Sequence, residues 1–261
     1  LRTISGMDDA YALIAPFYDL EFDEFDADVE LYLGYADYVG SPVLELGCGT
    51  GRLLLPLAKA GLQVHGIDSS PAMIARARAR LEEAGISGVE LRIGDMTDLS
   101  AYPAAHFRMV FAAINSFLHL ETRERQLTAL AEVHRVLHPD GILILDLFHP
   151  TPALLHAMED GLRVDGQWPL PGGGRVDRFS TRRVYPAEQR IETTLYYDHT
   201  EPGGAVRRTV TSYTMRYIHR FEMEGLLDQA GFVLEGVYGS YELDPFDDDS
   251  AIMLFVAHRR P

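Results

Sequence analysis

One short run, Glu45-Leu-Gly-Cys-Gly-Thr-Gly-Arg52, constrains the fold of this chain more than any other feature. It follows an apolar segment at residues 42–46, predicted as a buried strand, and opens a helical segment at 52–60. Glycines at alternate positions let the backbone turn tightly and approach a ligand closely, where a Cβ would collide. The helix that follows presents free N–H groups at its start. The run therefore predicts that a polar ligand binds at a strand-to-helix turn.

The segments around this turn alternate between strand and helix patterns. Downstream of it, strands are predicted at 63–67, 89–93, 107–112 and 142–148, and helices at 71–84 and 122–137. A turn at Pro139-Asp140-Gly141 separates the last of these helices from the last strand. Consecutive strand-helix units whose strands lack alternating polar faces predict a parallel sheet covered by helices on both sides. The expected fold class is α/β, with a doubly wound, mostly parallel sheet.

The pattern changes after residue 150. The predicted segments are a helix at 152–159, a Gly/Pro-rich loop at 165–175, three antiparallel strands at 176–185, 190–199 and 206–218, a helix at 221–230, and strands at 232–240 and 251–258. About 40 residues of antiparallel meander bury too little apolar surface to fold alone. Residues 151–219 are therefore interpreted as an antiparallel β lid inserted over the ligand cleft.

The rest of the chain divides around this lid. Residues 38–150 are interpreted as the ligand-binding core, and residues 220–261 as its completion. Residues 1–37 are helical in pattern and rich in Tyr and Phe, which suits an N-terminal helical cap that forms a second wall of the cleft.

Composition excludes several classes of partner. The 261 residues include 39 Asp and Glu against 23 Lys and Arg, a formal charge of −16 that repels the phosphate backbone of nucleic acids. No apolar run approaches the roughly 20 residues that span a bilayer. The lone cysteine, Cys48, excludes a disulfide framework and a thiolate-rich zinc site, and the acidic run at 247–249 is interpreted as a solvated turn rather than a metal site. We expect a cytoplasmic protein with no nucleic-acid, membrane or metal partner; no feature indicates its oligomeric state.

Three acidic residues near the ends of the first strands narrow the class of ligand. Glu45 stands two residues before the first glycine, where it disfavours a pyrophosphate and favours a zwitterion or a cation. Asp68 follows the second strand, where a carboxylate takes both ribose hydroxyls of a nucleoside. Asp95 follows the third strand, placed to accept from the exocyclic amine of adenine, and Met73 is placed to cover one face of that base. A nicotinamide dinucleotide stays an alternative, because the βαβ unit and Asp68 suit it as well.

Three longer runs carry a family resemblance: VLELGCGTGRLLLPLAKAGLQVHGIDSSPAMIARARARL at 43–81, RIGDMTDL at 92–99 and EVHRVLHPDGILILDLF at 132–148. In this order they resemble the class I methyltransferases that use S-adenosylmethionine (SAM), closely over residues 38–150. The resemblance implies SAM as the cofactor and a seven-stranded sheet whose last strand is antiparallel. It implies a cofactor-binding set of Glu45, Gly47, Cys48, Gly49, Gly51, Asp68, Ser69, Met73, Asp95 and Met96. Along SAM, it implies Glu45 near the amino group, the three glycines against the methionyl and ribose parts, Asp68 on the ribose, and Asp95 with the Met96 backbone on the adenine.

The helical cap and the inserted meander resemble small-molecule methyltransferases, notably aminosugar N,N-dimethyltransferases. In those, a histidine follows the fourth strand in a Ser-containing stretch; AINSFLHL here places it at His119, the candidate for orienting or deprotonating the acceptor. Asn115, at the carboxyl end of the fourth strand, and Tyr18, within reach of the SAM carboxylate or sulfonium, complete the predicted catalytic set. The predicted reaction moves a methyl group from SAM to a small acceptor, with nitrogen preferred over oxygen or carbon. Two alternatives are an NAD(P)-dependent oxidoreductase and a non-catalytic SAM-binding protein.

Overall fold

A computed structural model describes residues 9–159 and 161–260 of the chain. Its first part contains, in order, α1 (Ala10–Phe22), α2 (Val29–Val39), β1 (Val43–Leu46), α3 (Leu54–Lys59), β2 (Val64–Asp68), α4 (Pro71–Glu83), β3 (Glu90–Ile93), β4 (Phe107–Ala112), α5 (Arg123–Val136) and β5 (Leu137–Phe148). Its second part contains α6 (Pro152–Ala157), β6 (Arg163–Pro169), β7 (Arg175–Tyr185), β8 (Arg190–Thr200), β9 (Val206–Arg216), α7 (Arg220–Gln229), β10 (Phe232–Tyr238) and β11 (Ile252–Arg259). No helix within these ranges is long and apolar enough to cross a membrane.

Seven strands form one sheet in the order β10-β11-β5-β4-β1-β2-β3. The strands from β1 to β5 pair in parallel, whereas β11 runs antiparallel to both β5 and β10. The predicted α/β fold with a seven-stranded, mostly parallel sheet is confirmed. From β1 the chain builds outward to β3 and then crosses back to β4, so the order of strands reverses between β1 and β4. Ligands of open α/β sheets bind at such a reversal, outside the carboxyl ends of the strands.

Helices cover both faces of this sheet. On one face α2, α3 and α4 pack on the sheet, and on the other face α5 and α7 do. The spacing of buried residues explains which side of each helix faces inward: in α4 they are Met73, Ile74, Ala77 and Leu81, one stripe of a 3.6-residue period. Ser70 accepts a hydrogen bond from the Met73 backbone N–H at 3.2 Å and, with Pro71 in the first turn, fixes where α4 begins.

The lid is a separate four-stranded antiparallel sheet in the order β6-β7-β8-β9. The predicted loop at 165–175 was wrong in part, because β6 occupies Arg163–Pro169 and pairs with β7. Trp168 lies opposite Val176 in that pairing and packs into the apolar cluster between the lid and α1. The glycines and prolines of this segment are typical of a loop. Pairing with β7 nevertheless makes part of it a strand.

A second correction concerns the turn predicted at 139–141. The structure assigns these residues to β5, which begins at Leu137. The ladder between β4 and β5 shifts register between Phe107 and Met109, so Pro139, Asp140 and Gly141 form an irregularity within the strand rather than a break before it.

Candidate functional site

The bend after β1 forms the floor of a cleft at the carboxyl ends of the parallel strands. Gly47, Gly49 and Gly51 have φ values of +68°, +52° and +78°, which favour glycine. A Cβ on Gly47 would lie 2.8 Å from the Ser116 Cβ, too close for two carbon atoms. The backbone N–H groups of Gly47 and Cys48 donate to the carbonyl of Ile67 at 2.8 and 3.1 Å, which ties the bend to β2. The bend is thus rigid, and its surface is bare backbone.

The cleft encloses about 810 Å³, its open mouth included. Seven of the ten predicted cofactor-binding residues line it: Gly47, Gly49, Asp68, Ser69, Met73, Asp95 and Met96. Two of the three predicted catalytic residues, Tyr18 and His119, line it as well. Residues that are far apart in the sequence therefore meet at one edge of the sheet, as the strand order predicts.

Asp68 at the end of β2 organises the middle of the cleft. Its Oδ2 accepts from the Gly49 backbone N–H and its Oδ1 from that of Ser70, both at 2.8 Å. Burial raises the pKa of this carboxyl, and the two N–H donors oppose that shift. Each carboxylate oxygen has a further lone pair beyond these bonds, so Asp68 can accept two more donors from a ligand.

Asp95 lies at the far end of the cleft, after β3. Thr97 donates to its Oδ1 through both the backbone N–H and the hydroxyl at 2.8 Å, and Arg125 donates to its Oδ2 at 2.6 Å. Although partial burial acts to raise the pKa of Asp95, these partners outweigh it and hold the pKa below its ordinary value. Asp95 therefore stays an ionised hydrogen-bond acceptor between the end of β3 and the start of α5.

Helix α1 closes the cleft from above because it is anchored to α4. Asp9 caps α1 by accepting from the Tyr11 N–H at 3.0 Å, and its other oxygen accepts from the hydroxyl of Ser70, the cap of α4, at 2.6 Å. One turn from the other end of α1, Asp19 pairs with Arg80 of α4 at 2.7 Å. These contacts hold one face of α1, which carries Tyr11 and Tyr18, over the glycine bend.

Tyr11, His119 and the lid strand β9 meet at the end of the cleft near β4. The Tyr11 hydroxyl lies 2.8 Å from His119 Nε2. The imidazole also hydrogen-bonds to the backbone of Thr214, and the ring of Tyr213 lies edge-on to it at 5.3 Å. When the proton of the neutral imidazole is on Nδ1, Nε2 accepts a hydrogen bond from the Tyr11 hydroxyl.

Burial decides the protonation of this pair. It lowers the pKa of His119 to about 4, against a small opposing effect of the Thr214 backbone. Burial also raises the pKa of the Tyr11 phenol well above its ordinary value, and the neighbouring Tyr213 adds to the shift. At neutral pH the pair is therefore a neutral imidazole that accepts a hydrogen bond from a neutral phenol.

The lowered pKa of His119 predicts a loss of stability in acid. Between the ordinary histidine pKa near 6.5 and about 4, the unfolded chain binds a proton at this residue that the folded chain does not. The free energy of unfolding therefore falls as the pH drops through this window. Urea unfolding near neutral pH and near pH 5 should show a larger loss for the wild type than for His119→Gln. Equal losses in the two proteins would contradict the burial of a neutral ring.

The remaining predicted site residues lie away from the cleft surface. Glu45 is buried on β1, where burial raises its pKa, and its Oε2 has no hydrogen-bond partner among residues 9–159 and 161–260. Cys48 is buried against Gly66 of β2, and Gly51 faces Ala77 of α4. Asn115 has a φ of +65°, and its side-chain oxygen accepts from the Phe148 N–H at 2.7 Å, which fastens the end of β4 to that of β5. Ligand contacts of these four residues stay predictions.

Arg52, the last residue of the glycine-rich run, pairs with the helical cap. Arg52 forms two hydrogen bonds with the fully buried Asp28, at 2.7 and 2.6 Å, and its guanidinium lies 5.1 Å from the ring of Phe25. The pair joins the helical cap to the core.

Sequence reasoning missed seven residues of the cleft: Tyr11, Ile67, Gly94, Ile114, Ser116, Leu120 and Arg125. The spacing of seven between Tyr11 and Tyr18 puts both on one face of a helix, and this signal was available. The contact of Arg125 with Asp95 joins α5 to β3 across 30 residues and left no trace in the local sequence pattern.

Comparison with known proteins identifies the family. The methyltransferase domain family matches residues 43–141, from β1 into β5. The cypemycin N-terminal methyltransferase of a Streptomyces species is 30% identical over 222 residues, which make up 85% of this chain and 84% of that protein. The chain is a class I SAM-dependent methyltransferase. The oxidoreductase alternative is thereby set aside, and SAM is the cofactor of this methyltransferase.

The names of some other relatives state the compound that they methylate. An N,N-dimethyltransferase of a dTDP-linked amino-trideoxyglucose from Streptomyces venezuelae is 27% identical over 201 residues, 76% of this chain and 78% of that protein. The crystal structure of DesVI from Streptomyces venezuelae superposes with a TM-score of 0.73 at 25% identity, covering 94% of this chain and 98% of that one. The chain spans about half the length of two other relatives, 56% of nocamycin O-methyltransferase from Saccharothrix syringae, at 32% identity, and 47% of a putative methyltransferase from a Geobacillus strain, also at 32% identity.

Proposed function

We propose that the methyltransferase binds SAM with its methionyl part over the glycine bend and its ribose on Asp68. Two observations support this fit. The bend offers bare backbone at Gly47, where a side chain would collide with Ser116, so a ligand can lie directly on it. The Asp68 carboxylate is held by two backbone N–H groups and keeps lone pairs for two ribose hydroxyls.

The adenine then lies between α4 and the end of β3. Met73 and Ser69 line the cleft from the start of α4, while Asp95 and Met96 line it from the loop after β3. Asp95 is ionised and so accepts the exocyclic amine of the base, and Arg125 steadies its carboxylate from α5. The methionine side chain of Met73 suits one face of the ring, because thioethers pack well on aromatic systems.

The acceptor lies beyond the methyl group, against the Tyr11–His119 pair. With Nε2 unprotonated, the Tyr11 hydroxyl donates a hydrogen bond to His119, and the lone pairs of its oxygen are available to accept a hydrogen bond from an N–H of the acceptor. Bound SAM supplies a methyl group on a sulfonium, and transfer is an in-line displacement that needs the attacking lone pair about 3 Å from the methyl carbon. Tyr11 and His119 orient the acceptor for that approach.

Nitrogen is the proposed acceptor atom, because the described residues at the acceptor end of the cleft offer an orienting group and no carboxylate. A neutral amine attacks with its own lone pair, whereas a hydroxyl is a poor nucleophile until a base removes its proton. In the described part of the chain, the titratable groups lining this end of the cleft are Tyr11, Tyr18 and His119. Burial keeps both phenols protonated and His119, with a pKa of about 4, too weak a base to take up a proton at neutral pH. The observation that carries this proposal is the contact between the Tyr11 hydroxyl and His119 Nε2, at 2.8 Å, at the acceptor end of the cleft.

The names of relatives support the same choice in part. One relative methylates the N-terminus of cypemycin and another an amino group of a dTDP-sugar, while a third is an O-methyltransferase. We propose a small amine, of the size of a single amino sugar, as the acceptor of this enzyme.

Matched acceptors test the proposal. Pairs of compounds that differ only in one amine or hydroxyl group, such as an amino sugar and its parent sugar, are incubated with SAM, and S-adenosylhomocysteine and the methylated product are measured by mass spectrometry. Amines should be methylated and their alcohol partners should not. The rate should rise with pH as the ammonium form of the acceptor loses its proton. Methylation of an alcohol as fast as its amine partner would contradict the assignment.

A further inference from the structure

Asp146 of β5 is a buried carboxylate in an otherwise apolar run. Residues 142–147 are all buried, and Asp146, only 2% exposed, is the one charged residue among them. Burying a carboxylate costs free energy unless new hydrogen bonds replace those that it made to water. Asp146 is not among the described residues that line the cleft. Its hydrogen bonds within the protein therefore have to explain why a charge is kept here.

Asp146 fastens the turn that follows β4. Its Oδ2 accepts from the backbone N–H of Ile114 at 3.0 Å, and its backbone carbonyl accepts from that of Asn115, also at 3.0 Å. Ile114 and Asn115 have φ values of +44° and +65°. A positive φ is unfavourable for an L-residue, and especially for a β-branched one such as Ile114, so this conformation persists only where its surroundings hold it. Asp146 provides two of the bonds that do so, one from its backbone and one from its side chain.

The turn determines where His119 lies. A short 3₁₀ helix, Ser116–His119, starts directly after Asn115, and its backbone bonds back to the Asn115 carbonyl at 2.9 Å. Ile114 and His119 both line the cleft. His119 is thus one short helical turn away from the two residues with positive φ. A change in the direction of the chain at Ile114 would displace the imidazole from Tyr11.

Tyr241 holds the Asp146 carboxylate from outside the cleft. It lies in the segment between β10 and β11, and its hydroxyl donates to the same Oδ2 at 2.9 Å. Burial raises the pKa of Asp146 to about 6, while the bonds from Ile114 and Tyr241 oppose this shift. The carboxyl is therefore mostly ionised at neutral pH, and an ionised carboxylate accepts both hydrogen bonds more strongly than a neutral group does.

We propose that Asp146 is a positioning residue for methyl transfer, and that together with Tyr241 it fixes the direction of the turn that carries His119 into the cleft. Neither residue lines the cleft, so both act through the backbone of Ile114. The inference rests on the orienting role proposed above for His119. It assigns part of the geometry of the acceptor end to two side chains that lie behind it.

Two substitutions at Asp146 separate its hydrogen bonds from its charge. In Asp146→Asn the amide oxygen still accepts from Ile114 and Tyr241. Its turnover should stay within about 5-fold of the wild type, the difference between a charged and a neutral acceptor. Asp146→Ala removes the acceptor and should lose about 30-fold. This is less than the roughly 10²-fold that a displacement of about 1 Å can cost, because both hydrogen bonds of Asn115 remain, one of them with Phe148. Single-turnover rates at saturating SAM and amine measure these losses.

Tyr241→Phe decides the question where Asp146→Ala does not fold. It keeps the ring and removes only the hydroxyl, so turnover should fall about 10-fold, the scale of one hydrogen bond to a charged group. Tyr238→Phe is the matched control. Tyr238 lies on β10, three residues before Tyr241, and hydrogen-bonds to Tyr35 of α2. This control should keep the wild-type rate, and thermal unfolding measures the stability of each variant.

A double-mutant cycle with His119→Ala shows whether the effect passes through His119. Once the imidazole is absent, Tyr241→Phe should lower the rate by no more than about 2-fold further, whereas a residue that only stabilises the fold costs the same in both backgrounds. A wild-type rate in Tyr241→Phe, an equal loss in both backgrounds, or an Asp146→Asn protein as slow as Asp146→Ala would each overturn this inference and leave the role of His119 intact. A wild-type rate in His119→Ala would instead contradict the proposed function, and this inference with it.

Discussion

Tyr11→Phe should lose about 10²-fold in turnover while binding SAM as tightly as the wild type, the scale of loss that follows from a misplaced reacting group. The hydroxyl that is removed is the only part of Tyr11 that both bonds His119 Nε2, at 2.8 Å, and offers lone pairs to the cleft. The phenyl ring that remains still stacks on Tyr213. Single-turnover rates with a competent amine, together with calorimetric titration of SAM, measure the two effects separately.

His119→Ala tests whether the phenol and the imidazole act as one unit. If His119 works only by fixing the direction of the Tyr11 hydroxyl, its loss should cost about as much turnover as Tyr11→Phe, and the double variant should be little worse than either single one. Additive losses would show that His119 contacts the acceptor on its own. Tyr185→Phe is the control, because it removes a phenol hydrogen bond of 2.9 Å, to Glu192, within the lid. It should leave turnover unchanged.

The pH dependence of the methyl-transfer rate distinguishes the role proposed for Tyr11 and His119 from a purely structural one. If Tyr11 and His119 orient a neutral amine, the rate rises with the fraction of free amine, and acceptors of different basicity shift the profile by the difference in their own pKa values. If His119 were a base, the midpoint of the pH profile would be set by the pKa of His119 and would be the same for every acceptor. Its pKa of about 4 argues for the first case.

The core of the fold could be predicted because its signals are local. The glycine bend, the apolar strands and the capped helix at Ser70 each occupy a few consecutive residues, and their order alone determines a parallel sheet. Strand β6 could not be found this way. Gly166 and Pro169 lie within it, and its order comes from pairing with β7 on the far side of a turn of three glycines.

The cleft residues that we propose to bind the cofactor were also predictable, since Gly47, Asp68 and Asp95 follow successive strands that end at one edge of the sheet. The residues of the proposed acceptor half were predictable only in part. His119 was found, but what decides its protonation is its burial under Tyr11 and its contact with Thr214, nearly a hundred residues away. Arg52 shows the same limit, because its partner Asp28 belongs to the helical cap. Contacts between elements that are far apart in the chain produce no regular spacing of residues that could be recognised in the sequence.

Gly47→Ala should weaken SAM binding severely, because it adds a side chain to a part of the cleft floor that has no room for one. A φ of +68° costs an L-residue about 1 to 2 kcal/mol. The added Cβ would also lie 2.8 Å from the Ser116 Cβ and 3.0 Å from its Oγ, and forcing such contacts apart costs about 1 to 3 kcal/mol. If the bend moves to relieve both, it moves away from SAM, and the sum of about 2 to 5 kcal/mol corresponds to a loss in affinity of about 30- to 4,000-fold.

A second substitution separates the two costs of Gly47→Ala. Ser116→Gly removes both atoms that the new Cβ would meet but leaves the φ of residue 47 unchanged. The double variant Gly47→Ala, Ser116→Gly should therefore recover the part of the SAM affinity that the collision removes, and keep the part that the backbone conformation removes. Ser116→Gly alone is the reference. Calorimetric titration gives the affinities, and thermal unfolding shows whether Gly47→Ala still folds. A folded Gly47→Ala protein with wild-type affinity would mean that SAM does not lie on this bend.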